Sequence, residues 1–387
     1  MDRLWPNALR EADMQLTINK KALSLATSRV QGAITERSLA QIAIKAENNT
    51  LQVAATDRVI AVYSNLECTV DQPGTVFVPA RFFSDVVREL PDGDVQLATH
   101  QSHLVITASA ESQFTMKIPL IEDLSWRDPP QIKSDNSANV PSEKLAYLIE
   151  QVQFCVAHES PRNYGSVGYL HKPDPDRVRL VGTDGFRLSY CEVEVSVSDL
   201  FLSGGVCLSK RALTELYRMA GEGYDQINMA ISEDNTTMVA SSPGYQIFIR
   251  LSAVKYPNYV GVLPKTKHEG VQVQRPQLQH VTKRVLLASD KSKALQLSFS
   301  NSSLTLSSKT MGSSEGKETI KLDDYHGPAC QLAVNGKFLA DVFSTTPSER
   351  LTLQFSNDED PMVITPRNEP EACRSKHVLV PIKESEA

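Results

Sequence analysis

The sequence predicts an α+β protein made of three repeats of one domain plan, each with two helices packed on largely antiparallel sheets. Three observations carry this. First, short runs alternate apolar and polar residues with the period of two of half-buried strands, and longer runs show helical spacing. Second, Val78-Pro79-Ala80-Arg81, Leu208-Ser209-Lys210-Arg211 and Val334-Asn335-Gly336-Lys337 each read as a strand end, a helix start and a cation. They lie about 130 residues apart, too far for stacked solenoid units. Third, one turn motif occurs twice, at Ala55-Thr56-Asp57 and at Gly182-Thr183-Asp184-Gly185. In the second copy Asp-Gly between two strand-like runs is a hairpin signal, because Gly supplies positive φ without a Cβ clash.

The chain of 387 residues is long enough for two or three cores. Its 41% hydrophobic and 22% charged content is that of a globular protein. There is no run of about 18 apolar residues to cross a membrane, and no basic-then-apolar leader. The expected location is therefore cytoplasmic. Cys68, Cys155, Cys191, Cys207, Cys330 and Cys373 lie far apart with no CxxC pair, which reads as reduced thiols. A net charge of −6 argues against a chain that is basic throughout, but leaves room for a local basic surface.

Residues 1–13 show no periodicity and are expected to be a poorly ordered extension. Domain 1 then spans 14–133. A strand from Gln15 leads to a helix through Ala22, Leu23, Ala26 and Val30, with Asn19 as its N-cap. Strands follow at Ile42–Ala46, Thr50–Ala55, Val59–Leu66 and Thr75–Pro79. Pro79 opens the helix Ala80–Leu90 in its first turn, where a missing N–H costs nothing. Runs at Val95–Ala98, His103–Ala108 and Gln113–Ile118 complete the pass, and Asp128-Pro129-Pro130 reads as a linker.

Domain 2 spans 134–262. Its first helix, Ser142–Val152, is read with a capping serine. Strands lie at Gly168–His171, Val178–Gly182, Leu188–Tyr190 and Gly205–Leu208, before the helix Ser209–Ala220. Ile227–Ile231, Met238–Ala240 and Tyr245–Leu251 follow, and Lys255-Tyr256-Pro257-Asn258-Tyr259 is a second linker. Domain 3, 263–387, has a helix from Arg275 through Leu278, Val281, Val285 and Leu286. Strands at Ala294–Phe299, Leu304–Ser308 and Cys330–Val334 lead to the helix Asn335–Phe343, and Leu351–Phe355 comes after it.

The six helices carry Lys20, Lys21, Arg29, Arg81, Arg88, Lys144, Lys210, Arg211, Arg218, Arg275, Lys283, Arg284 and Lys337. Against these stand only Asp85, Glu89, Glu143, Glu150, Glu215 and Asp341. The helices are basic in an acidic chain. If their outer faces share one side, that side suits a polyanion held by charge without base reading. Plain solvation of long cations explains the same count.

Catalytic signals are weak. Asp57 and Asp184 sit in turns, where such side chains accept local N–H groups. His100 and His103 lack a third ligand at metal spacing, so no metal is expected. Gly221-Glu222-Gly223 follows a helix instead of preceding one, so it is not a phosphate loop. The sequence favours a binding protein without cofactors over an enzyme.

The repeat plan, the basic helices and a set of short motifs together resemble one family, the bacterial DNA sliding clamps, the beta subunits of the replicative DNA polymerase III. The motifs are Ala55-Thr56-Asp57, Val78-Pro79-Ala80-Arg81, Thr183-Asp184-Gly185-Phe186-Arg187-Leu188, Tyr256-Pro257-Asn258-Tyr259 with Leu263-Pro264, Asn335 with Phe338, and Val380-Pro381-Ile382. The resemblance runs from about Met14 to Ile382. It implies the DNA-clamp fold and a head-to-tail homodimeric ring that encircles double-stranded DNA, with basic helices lining the hole. The implied function is processivity in DNA replication without catalysis. The implied partners are the polymerase catalytic subunit, the clamp loader and other clamp-motif proteins: repair and translesion polymerases, mismatch repair proteins and ligase.

By the same resemblance a peptide groove would use Thr183, Gly185, Phe186, Arg187, Leu188, Pro257, Val262, Asn335, Phe338, Pro361, Met362, Val378, Val380 and Ile382. DNA contacts would be Lys20, Lys21, Arg29, Arg37, Arg81, Arg162, Tyr164, Lys210, Arg211, Lys283 and Arg284. The dimer seam would pair Phe114 and Met116 with Leu286 and Leu287. The chain departs from the family at Phe186, where His is frequent, and at Gly261, where a rim Arg is common. The loop Asn163–Gly168 is one residue longer than usual, Leu39-Ala40-Gln41-Ile42 lacks a Leu-Pro pair, and Lys383–Ala387 continues past the groove, which this tail is expected not to occlude. Two other readings compete: a hydrolase using Asp57 and Asp184, and a β-rich peptide binder that does not touch DNA.

Overall fold

The computed structural model describes residues 14–34, 40–109, 113–122, 136–198, 201–202, 204–264, 270–300, 302–310, 312–322, 325, 329–357 and 359–382. The extension 1–13, Arg37, Leu39, the linker at Asp128-Pro129-Pro130 and the tail Lys383–Ala387 lie outside the described residues.

The first pass is β1 (Gln15–Asn19), α1 (Lys20–Val30), β2 (Gln41–Glu47), β3 (Thr50–Thr56), β4 (Ile60–Glu67), β5 (Thr69–Gln72), β6 (Gly74–Pro79), α2 (Ala80–Glu89), β7 (Asp94–His100), β8 (His103–Ser109) and β9 (Gln113–Pro119). The second is β10 (Ser137–Pro141), α3 (Ser142–Glu150), β11 (Val167–Asp174), β12 (Arg177–Thr183), β13 (Arg187–Glu194), β14 (Val206–Ser209), α4 (Lys210–Ala220), β15 (Gln226–Ile231), β16 (Thr237–Ser242) and β17 (Tyr245–Arg250). The third is β18 (Val271–Gln274), α5 (Arg275–Val285), β19 (Ala294–Ser300), β20 (Ser303–Thr310), β21 (Ser314–Lys321), β22 (Cys330–Asn335), α6 (Gly336–Thr345), β23 (Arg350–Gln354), β24 (Met362–Pro366) and β25 (Cys373–Leu379).

Polar side chains start three of the helices. Asn19 accepts the Lys21 N–H at 3.0 Å, Ser209 the Ala212 N–H at 3.2 Å, and Asn335 those of Lys337 and Phe338 at 3.0 and 3.3 Å. Each satisfies donors that have no partner within the helix. Ser142 is not a cap. Pro141 takes that position, Ser142 is the first helical residue, and its buried hydroxyl has no hydrogen-bond partner. Pro79 likewise stands one place earlier than expected, at the N-cap of α2.

All registered strand pairs are antiparallel, in sheets ordered β5-β1-β7-β8-β9, β10-β15-β16-β17-β4-β3-β2-β6, β14-β11-β12-β13-β25-β24-β23-β18 and β21-β20-β19-β22. Compactness does not divide the chain where the repeat does. One unit holds residues up to Asn139 together with Gln226–Arg250, and the other holds Val140–Asp225 with residues from Leu251 onward. The reason is strand exchange: the last strand of the second pass, β17, pairs with β4 of the first. In the second unit the last strand of the third pass, β25, pairs with β13 of the second.

Six strands were not anticipated: β5, β10, β18, β21, β24 and β25. Four of them are sheet edges; β5 and β21 are mostly polar, while β10 and β18 do alternate but over only five and four residues. The core of the second unit closes where Leu278, Val281 and Val285 of α5 meet Leu339, Val342 and Phe343 of α6, over Leu295, Leu297, Leu351 and Leu353.

Candidate functional site

The two Thr-Asp turns are built alike. In the first, Asp57 Oδ1 accepts the N–H groups of Val59 and Ile60 at 3.0 and 2.8 Å, and Thr56 Oγ1 donates to the Ile60 carbonyl at 3.1 Å. In the second, Asp184 Oδ1 accepts those of Phe186 and Arg187 at 3.0 and 3.1 Å, and Thr183 Oγ1 donates to the Arg187 carbonyl at 2.7 Å. The third turn residue has positive φ in both, Arg58 at 73° and Gly185 at 92°. Both carboxylates therefore hold their own turns, as side chains of this type do.

The middle copy differs in what Arg187 does. Its Nε donates to Asp184 Oδ2 at 2.9 Å, Nη1 to Asp341 Oδ2 on α6 at 2.7 Å, and Nη2 to the Phe154 carbonyl at 2.7 Å. The guanidinium also lies 4.1 Å from the Phe338 ring centre. With only 10% of its side chain exposed, Arg187 is a clasp between the hairpin and α6, and its donors do not face a ligand. The sequence counts Asp341 only as a helix acid and gives no sign of Phe154. The one available signal was an acid inside the otherwise apolar face of Phe338-Leu339-Ala340-Asp341-Val342-Phe343.

Around this clasp the expected groove residues divide by exposure. Leu188 and Val378 are buried with Val181, Tyr259 and Val363, and Tyr256 and Leu263 pack against that cluster. Thr183 is buried, and Met362, paired with Leu379, is wholly in the core, so these four residues form floor and not contact surface. Asn335, Phe338, Pro361 and Ile382 are half-buried, as is Gly185; Pro257 is exposed. Phe186 is 62% exposed and Val262 66%, with Val260 and Val380 also open. The Val380 N–H donates to the Phe186 carbonyl at 3.0 Å, and the Ile382 N–H to that of Ala333 at 2.7 Å, which fixes the chain end beside the hairpin. Four of the eight large apolar side chains exposed among the described residues thus belong to this small part of one unit. Gathered apolar exposure is a general feature of protein-binding surfaces.

The linker is pinned by aromatic stacking. Tyr256 stacks on Tyr169 at 5.1 Å, and Tyr169 on His171 at 4.7 Å. His171 Nε2 and Arg179 Nη1 both bond the Tyr259 hydroxyl, at 3.0 and 2.8 Å. Beneath the groove, Ser189 Oγ lies 2.9 Å from His377 Nδ1 and accepts from Cys155 Sγ at 3.1 Å. Burial pushes His377 down to about 3, and burial, then the Arg179 charge, pushes His171 down to about 4. Both rings are held neutral, so their contribution is complete above the unfolded pKa near 6.5 and shrinks as pH falls below it. Melting temperature should fall steadily between pH 7 and pH 4, and His377→Asn should flatten that slope. An unchanged slope in the variant would refute the assignment.

The expected DNA contacts also divide. Lys21, Arg81, Arg162 and Lys283 are exposed; Lys20, Lys210, Arg211 and Tyr164 are half-buried. Arg29 is a correction. Only 5% exposed, it donates to Ser64 Oγ at 3.2 Å and to the Gly244 carbonyl at 3.3 Å, and sits 4.8 Å over the Tyr245 ring, so it cannot reach a phosphate. Arg284 is exposed but doubly bonded to Glu318, at 2.9 and 2.6 Å. Lys210 is pushed down by burial and then by the Arg187 charge. Burial raises Glu215, with Arg218 and Arg211 opposing.

Of the seam residues, Phe114 and Met116 are half-buried on the edge strand β9. Leu287 is 86% exposed, in the turn next to the edge strand β21. Leu286 differs from the expectation: it is partly buried against the core, so tightly that a Cβ on Gly336 would come within 2.6 Å of its Cδ2. Among the described residues no cluster of three metal-binding side chains occurs, and no helix is long and apolar enough to cross a membrane.

Family models match the chain in three consecutive blocks: DNA polymerase III beta subunit, N-terminal domain, at residues 14–125; its central domain at 139–258; and its C-terminal domain at 261–383. Similar relatives include the beta sliding clamps of Chlamydia trachomatis serovar D, 25% identical over 96% of this chain and 87% of that one, and of Escherichia coli K12, 24% identical over 89% and 93%. Among solved structures, the DNA polymerase III beta subunit of Thermotoga maritima has a TM-score of 0.87 at 21% identity, covering 96% of this chain and 99% of that one. The sliding clamp of Pseudomonas aeruginosa bound to griselimycin has a TM-score of 0.86 at 21% identity, covering 96% and 100%.

Proposed function

This chain belongs to the DNA polymerase III beta-subunit family, the sliding clamps of DNA replication, and from that premise we propose that two copies close head to tail into a ring around double-stranded DNA. The observation that carries the ring is the strand-exchange rule. In the first two repeats the fourth strand accepts the last strand of the next repeat: β4 takes β17, and β13 takes β25. The corresponding strand of the third repeat is β21, an open edge, and the last strand of the first repeat is β9, also an open edge. Applied once more, the rule joins β21 of one copy to β9 of another. That contact is heterologous, so it gives a closed ring or an open filament, and two copies are the smallest closure. Leu287 beside β21, and Phe114 and Met116 on β9, are the apolar groups that such a seam would bury.

Within the ring the exposed helix cations Lys21, Arg81 and Lys283 attract phosphates without reading bases. Charge attraction of this kind has no preferred register, so the ring slides, and retention comes from topology. The chain acts as a scaffold without catalysis. The apolar surface at Phe186, Val262 and Val380 docks short peptides of the polymerase catalytic subunit, the clamp loader and other clamp-motif proteins, and three domains at 14–133, 134–262 and 263–387 supply the parts. The test is to load the protein onto nicked circular DNA with a clamp loader and then linearise the circle. Retention on circles and loss from linear ends is expected; equal retention on both would refute the ring.

A further inference from the structure

The two Thr-Asp turns share a backbone corner but not its side chains. In the second unit the Val380 N–H reaches the Phe186 carbonyl at 3.0 Å, and in the first the Arg250 N–H reaches the Val59 carbonyl at 2.8 Å. The registers agree, with Ile249 opposite Ile60 in one and Leu379 opposite Arg187 in the other. The Arg58 N–H donates to Thr56 Oγ1 at 3.1 Å, as the Gly185 N–H does to Thr183 Oγ1. Val59 therefore stands where Phe186 does, Arg250 where Val380 does, and Arg58 where Gly185 does. The second corner turns apolar groups outward. The first sets a valine, 43% exposed, between two exposed arginines.

Neither arginine is engaged by the fold. Among the described residues no side-chain hydrogen bond, ion pair or ring contact of Arg58 or Arg250 occurs. Arg58 also holds φ at 73°, which suits glycine and is unfavourable for a residue with a Cβ. A cation is kept on a backbone that favours glycine, and strain of that kind concentrates at ligand-binding sites. The acids around the corner are turned to local bonds. Asp57 accepts the N–H groups of its own turn. Thr237 lies opposite Arg250, and the turn before it carries Glu233 and Asp234, of which Asp234 accepts from Ser232 Oγ at 2.6 Å and from the Thr236 N–H at 3.1 Å. We infer that this corner of the first unit is a second protein-docking surface, and that it takes an acidic segment with one small apolar side chain between carboxylates. Guanidinium forks bond carboxylates in pairs, and Val59 supplies the apolar contact between them. The choice of a protein over duplex DNA rests on the peptide-docking reading of the matching corner, since phosphates would leave Val59 without a contact.

The experiment uses the full-length protein and two fluorescein-labelled peptides. One has a valine between pairs of glutamates, to match the arginine, valine and arginine of the corner; the other has glutamine for every glutamate. A short DNA duplex is the third probe. Wild type should bind the glutamate peptide about tenfold more tightly than the glutamine peptide, the scale of one charge-assisted contact. Arg58→Gly removes a cation and relieves the backbone, so it should lose that preference while melting no lower than wild type. Arg250→Gln should lose it as well, and Lys21→Gln on α1 should keep it. Equal binding of the two peptides by wild type would overturn the proposal. So would a preference that disappears in Lys21→Gln and survives in Arg58→Gly, which would mark general attraction to basic helices. Duplex affinity that falls in Arg58→Gly and Arg250→Gln as far as peptide affinity does would make the corner a phosphate contact instead. Val262→Asp in the second unit tests the docking reading apart from this one. It should weaken binding of the polymerase catalytic subunit about tenfold and leave the glutamate peptide unaffected. If that subunit binds the variant as it binds wild type, the docking reading falls, and the peptide pair still decides this corner.

Discussion

Leu287→Asp is expected to convert the dimer to a monomer at micromolar concentration without changing the melting of the monomer itself. A side chain 86% exposed in the single chain has little to do with its folding, and the proposed seam with a second copy would bury it. Burying a carboxylate in a seam that had held a leucine removes apolar contact and adds desolvation. Together these should raise the dissociation constant at least ~100-fold, about 3 kcal/mol, on the scale of an interface hot spot. Leu286→Asp makes the contrast: it places a charge against the core beside Gly336 and should unfold the second unit. Sedimentation equilibrium reads the first result and thermal melting the second. A Leu287→Asp protein that sediments as a dimer would reject the seam.

The second large effect belongs to Arg187. Arg187→Ala leaves Asp184 and Asp341 facing each other's charge and the Phe154 carbonyl without its donor. Breaking a mostly buried ion pair from one side costs about 3–5 kcal/mol, so the melting temperature of the second unit should fall sharply. Peptide binding should fall with it, because the hairpin that carries Phe186 would no longer be fixed to α6. Arg187→Lys keeps the charge but not the three-way fork and should lie between the two. Melting equal to wild type in the alanine variant would show that the clasp does not hold the unit together.

Much of this was legible in the sequence because it is local. Asn19, Ser209 and Asn335 cap helices through atoms two or three residues away. Asp57 and Asp184 bond within their own turns. Ser142 failed for the same local reason: a proline one residue earlier already supplied the entry conformation. Of the six strands that the sequence does not announce, the edges β5 and β21 are mostly polar, and β10 and β18 alternate over too few residues to stand out; β24 and β25 lie inside their sheet, held there by pairing with β23 and β13.

The candidate site was legible as a set of positions but not as a set of roles. Phe186, Val262 and Val380 open outward while Met362 and Leu188 close inward, and nothing in residue type separates Val262 from Val378. Arg187 and Arg162 are both cations beside one turn, yet one is locked by Asp184, Asp341 and Phe154 and the other rests exposed on Gly185.

By itself, then, the sequence determined the repeat, the turns, the helix starts and the family, because all of these are written in spacing and neighbouring atoms. Tertiary structure alone decided which of several similar cations is usable. Arg29 and Arg81 both lie on basic helices, but Arg29 is enclosed by Ser64, Gly244 and Tyr245, while Arg81 faces water. It also decided which strands remain open: among the described residues β9 pairs only with β8 and β21 only with β20, so each keeps one unpaired edge. Burial and pairing depend on residues hundreds of positions apart, and no local pattern carries that information.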